Sequence, residues 1–106
     1  MPRRTGGNSE LRGLLAATEH EFWDRWNRKA DQTWNRHPIG PRPEPVESEL
    51  ERALLAGDPV AVSSSMMFRA LLAAGRELEA RRYRFDGPDF DARYVLVGDR
   101  LTRAYD

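Results

Sequence analysis

Prolines at 38, 41, 43 and 45 in "HPIGPRPEPVE" constrain this chain more than any other feature. Each fixes φ, removes an amide donor and biases the preceding residue away from helix. No regular element therefore crosses residues 37–46, and the stretch reads as a stiff, extended connector. A second reading makes it a ligand for a proline-recognising domain. The connector divides the 106 residues into a segment over 9–36 and another over 47–106. A chain of this length holds one hydrophobic core and not two, so the two segments are expected to pack as one domain. Residues 1–8, "MPRRTGGN", lack the apolar stretch of a secretory signal and read as a flexible leader.

Upstream of the prolines, the sequence predicts a long helix. Asn8 and Ser9 are both suited to cap it, because their side-chain oxygens accept the free amides of a first turn. At about 100° per residue, Leu11, Leu15, Phe22 and Trp26 fall on one face. Trp23, Ala30 and Trp34 form a second stripe beside it, and His20, Asp24, Asn27 and Asp31 lie opposite, as a solvated side. The apolar arc is wider than the roughly 100° that one core surface needs. All three tryptophans of the chain lie on this helix. Glu19 sits between the two stripes, where an unpaired carboxylate is costly to bury. The favoured reading places it at the edge of the stripe, reaching solvent; Arg12, two turns earlier, is one candidate partner for it and an indole N–H is another.

Downstream, "ESELERALLA" predicts a short helix over 47–56 with acids at its start and Gly57 at its end. Asp58-Pro59 is either a turn or the start of the next helix. A third helix is expected over Ser65–Arg82, with Met67, Leu71 and Leu78 on one face and the small residues of "ALLAAG" admitting a close neighbour. "VAVSSS" before it is ambiguous, since serines favour caps and turns. "DARYVLVGDRLTRAY" reads as a hairpin turning at Gly98-Asp99. In that register Leu96 faces Leu101, Tyr94 faces Arg103 and Val95 faces Thr102. Tyr83–Phe85, before the turn residues "DGPD", is a candidate third strand. The fold class is α+β, mainly α.

Several chemistries have no signature here. With 17 basic and 17 acidic residues the formal net charge is zero, which argues against whole-molecule attraction to nucleic acid or acidic membrane. Sixteen of the basic residues are arginine, a bias that a GC-rich coding sequence can produce by itself. The absence of cysteine removes disulfides, thiolate nucleophiles and Cys-type zinc sites, and suits the cytoplasm. "HEFWD" begins like the zinc motif H-E-x-x-H but has Asp24 in place of the second imidazole. "SSSMM" lacks the glycines of a nucleophile elbow, and no phosphate-cradling glycine loop occurs. Neither a cofactor nor a metal is expected, nor a membrane span, for no apolar run approaches the roughly 20 residues that one requires.

The order helix, turn, longer helix, hairpin over 47–105 resembles a winged helix-turn-helix. The likeness is carried by "VSSSMMFRALLAAGRELEARRYRF" and "ARYVLVGDRLTRAY". It implies a recognition helix for the major groove and a wing on the backbone. By that resemblance Ser64, Ser65 and Arg69 are groove-facing, and Arg81, Arg82, Arg84, Arg93 and Arg100 contact phosphate. Residues 58–106 nevertheless carry eight arginines against eight acids, where counterion release needs concentrated basic charge.

The favoured reading is different. Trp and Arg are the residues most enriched at binding hot spots. The expected function is that of a non-enzymatic protein-binding accessory, adaptor or assembly subunit. It docks through Phe22, Trp23, Trp26 and Trp34, with Arg25 and Arg28 at the rim. The partner is another protein or a second copy of the chain. A winged-helix DNA-binding regulator ranks second and a small enzyme third. The competing explanation for the rings is that they fill the chain's own core.

Overall fold

In the computed structural model, residues 7–83 and 92–104 are described, with side chains from residue 10 onward. The order is α1 (Gly7–Arg36), α2 (Glu49–Ala56), β1 (Val60–Ser63), α3 (Ser64–Ala73), α4 (Glu77–Ala80), a 3-10 turn (Arg81–Tyr83), β2 (Arg93–Val97) and β3 (Arg100–Arg103). The class is α+β, mainly α, with one antiparallel sheet of order β1-β2-β3. Leader residues 1–6 and the "DGPD" turn lie outside the described residues.

Local chemistry explains most element ends. Ser48 caps α2 by accepting from the Glu51 amide at 3.0 Å, and Gly57 closes it at φ 84. Ser63 caps α3 in the same way, accepting from the Met66 amide at 3.3 Å. Glycine suits the closing position because φ above zero costs it no steric strain. The hairpin has the expected register, with Leu96 against Leu101, Tyr94 against Arg103 and Val95 against Thr102. Gly98 turns it at φ 60.

Four expectations are corrected. α1 begins at Gly7, so Asn8 and Ser9 lie inside its first turn and not ahead of it. The single helix expected over Ser65–Arg82 is broken at Gly75, which adopts φ 77. There the Gly75 amide donates to Leu72 O at 3.0 Å and the Arg76 amide to Leu71 O at 2.9 Å, a glycine stop that ends α3. The break turns Leu78 away from the Met67–Leu71 face, leaving it 76% exposed. The third strand is "VAVS", not "YRF": Val60 and Val62 are buried and pair with Leu96 and Tyr94, while Tyr83 is in the 3-10 turn and residues 84–85 are outside the described set. Finally, Arg12 is not Glu19's partner. Its guanidinium donates to Leu54 O at 3.0 Å, Ala53 O at 3.1 Å, Gly98 O at 2.8 Å and Asp58 O.

The core joins Leu11, Leu15 and Ala16 of α1 to Leu54, Val60, Val62, Met67, Ala70, Leu71, Ala80 and Leu96. Arg12 fastens α1 to the carbonyl end of α2, where the helix dipole favours a cation. Arg76, just past the Gly75 stop, holds Glu79 at 2.5 Å and reaches back to Glu10 of α1 at 2.9 Å. No α1 residue beyond Ala16 is buried. A helix of 30 residues is about 45 Å long, and the longest dimension of the molecule is 53 Å. The second half of α1 therefore extends past the core.

Candidate docking surface

The extended end of α1 is not bare on every side. After a turn at Gly40, with φ 73, the proline connector runs back along it. Arg42 pairs with Asp31, donates to Asn35 Oδ1 at 2.9 Å and lies 4.4 Å from the centroid of the Trp34 ring. Asn27 grips Val46 twice, donating to its carbonyl at 3.0 Å and accepting from its amide at 2.8 Å. Ser48 donates to Glu19 at 2.7 Å, and His20 meets Glu51 of α2 at 3.2 Å. The side of α1 expected to be solvated thus receives the connector, because its polar groups satisfy backbone that the prolines keep out of helix and sheet.

This arrangement separates the aromatic residues. Trp23 and Trp34 are half-buried toward the connector, with Trp23 Nε1 donating to Glu19 at 3.1 Å and Trp34 Nε1 to Gly40 O at 3.1 Å. Glu19 is thereby satisfied by an indole and a hydroxyl. Phe22 and Trp26 continue the Leu11–Leu15 stripe beyond the core and are 48% and 54% exposed. Edge-to-face contacts link Phe22 to Trp23 at 5.0 Å and Trp23 to Trp26 at 6.2 Å. Such contacts stiffen the cluster.

Between Trp26 and the returning chain lies an open groove of 500 Å³, lined by Trp26, Lys29, Ala30, Thr33, Trp34, His37, Ile39 and Pro43. Ile39 at its edge is 84% exposed. A second groove of 420 Å³ lies between Trp23, Val46 and α2. Of the expected rim residues, Arg25 is exposed, 3.8 Å from Glu21, and Arg28 is ion-paired with Asp24 on the outer polar face. Arg28 holds the Asp24 carboxyl below its ordinary range, first through their hydrogen bond and then through its charge. Sequence reasoning missed Ile39, Pro43 and Lys29 as groove residues. The available signal was Ile39, an apolar residue stranded among prolines with no element of its own.

No protein-family model, curated protein or solved structure matches this chain.

The described residues suggested by the winged-helix resemblance lie on α3, the 3-10 turn and the hairpin. Ser64 is buried and its hydroxyl donates to Ala92 O at 3.2 Å. Ser65 lies 3.0 Å from Ser63 Oγ, and Arg69 is exposed on α3. Arg81 pairs with Glu77 at 3.2 Å, Arg82, Arg93 and Arg100 are exposed, and Arg84 lies outside the described residues. Among the described residues, no group of three or more His, Asp or Glu could hold a metal ion. Nor is any described helix long and apolar enough to cross a membrane.

Proposed function

We propose that this chain is a non-enzymatic protein-binding accessory or assembly subunit, acting in the cytoplasm. It docks through the aromatic face of α1. The observation that carries the reading is the continuation of one apolar stripe past the core: Leu11 and Leu15 are sealed, while Phe22 and Trp26 on the same face stand open, Trp26 lining a mostly apolar groove. Covering a large aromatic side chain is worth about 1.5–3 kcal/mol. A pair of them beside a preformed groove is the composition of a binding hot spot.

The helix is also prepared for docking. The connector holds it through Asn27, Asp31 and Trp34, and the α2 cap Ser48 through Glu19, so little ordering cost falls on the binding event. The test compares the wild-type chain with Trp26→Ser and Gln32→Ala, each used to recover its bound protein from the native source after nuclease treatment. The reading expects the companion to be lost with Trp26→Ser and kept with Gln32→Ala, both variants remaining folded by circular dichroism. A companion retained by Trp26→Ser, or nucleic acid in its place, contradicts it.

A further inference from the structure

We propose that the occupant of the groove is an amphipathic helix from a different protein, bearing acidic side chains beside its apolar stripe. The proposal rests on the docking reading above and names its partner.

Shape selects the helix. The open face runs along α1 through Phe22, Trp26, Ala30 and Thr33, so its knobs recur once per turn, the spacing that another helix presents. An extended strand would bring unpaired backbone groups. α1 has spent its own amides internally, and the other wall offers no free donor either: Pro43 has no amide proton, and the amides of His37 and Ile39 donate to Thr33 O and His37 O. A helix arrives with its backbone hydrogen bonds already made, so lying in this groove leaves no backbone amide of its interior unpaired.

Charge selects the acids. The groove is lined by Lys29 and no carboxylate. At about 100° per residue, Arg25, Lys29 and Arg36 fall together on the flank of the open face away from the connector. Of the acids on α1, Asp24 is engaged by Arg28, Asp31 by Arg42, and Glu19 by Trp23 and Ser48. Among the described residues, Arg25 has only Glu21 at 3.8 Å. Lys29 and Arg36 have no carboxylate partner among the described residues. A row of cations beside bare aromatics is complementary to acids beside an apolar stripe, and such rim charges steer encounter and exclude wrong partners.

The same row disfavours a second copy. Antiparallel pairing of two α1 helices sets each flank against its own equivalent, so Arg25, Lys29 and Arg36 would oppose one another. Parallel pairing would need the other flank, which the connector occupies through Asn27, Trp34 and Asp31.

The test selects a displayed library of short helical peptides on the full chain, with leucine or phenylalanine fixed at one per turn and the flanking positions randomised. The proposal expects enrichment of Asp and Glu at the flanks, and affinity that drops about tenfold or more with Trp26→Ser. Reversal with Arg25→Glu/Lys29→Glu should switch the preference to Lys and Arg. Enrichment blind to charge, or of basic flanks on the wild-type chain, overturns the proposal and leaves the docking reading standing. A dimer in sedimentation that Trp26→Ser dissolves also overturns it, in favour of a second copy. No enriched peptide together with no self-association sinks both the proposal and the reading.

Discussion

The two halves of α1 share one face and differ in what covers it. Over residues 11–16 that face is sealed by α2, α3 and the sheet, and Arg12 bolts the helix to carbonyls of three separate segments. Over residues 19–36 the connector and the α2 cap hold the helix from the side by polar contacts, leaving Phe22 and Trp26 open. The first half is secured by apolar burial, which is large and non-directional. The second is secured by hydrogen bonds, individually modest but directional. A protein that needed α1 only for its own stability would gain little from roughly the last five turns. Those turns present a surface.

The contrast can be broken most forcefully at Leu15. Leu15→Ala empties a fully buried site and should cost about 2–5 kcal/mol in urea unfolding. Next comes Arg12→Met, which removes a charged donor from four carbonyls and should cost about 2–3 kcal/mol. A loss no larger than that of a surface change, about 0.5 kcal/mol, in either variant would mean that the sealed half is not sealed. Asn27→Ala should act locally: roughly 1 kcal/mol is lost, and the Val46 amide exchanges faster while Leu15 stays protected. Faster exchange spread through the core would show that the connector and core are one cooperative unit.

Two smaller effects sharpen the comparison. Arg76 depresses the Glu79 carboxyl below its ordinary value near 4.5, chiefly through their hydrogen bond. The stabilisation is present above that ordinary value and is lost as pH falls through the depressed one. A slight acid sensitivity should therefore appear below pH 4.5 and be reduced in Glu79→Gln. Smallest of all is Trp26→Ser in the isolated chain. A side chain already half in water should shift unfolding by no more than about 0.5 kcal/mol. A shift of the Leu15 size would place Trp26 in the core.

Much of this architecture was legible because it rests on short-range chemistry. The hairpin register follows from Gly98 and the alternation around it, and Gly57 stops α2 because αL backbone suits glycine. What escaped is long-range or double-edged. "VAVS" becomes a strand only because Leu96 and Tyr94 lie beside it in space. Gly75 looked like a small residue on a helix face and is instead the stop that splits the helix. The aromatic excess on α1 was visible from its period. Which rings would be open was not, since that depends on where the core ends and where the connector returns, and neither is written in the period of α1 itself.

The most direct measurement is solvent paramagnetic relaxation on the monomeric chain, read at the Leu15 methyls and the Phe22 and Trp26 rings. The account predicts strong broadening of both rings and none at Leu15. Rings protected as fully as Leu15 in a monomer would contradict it.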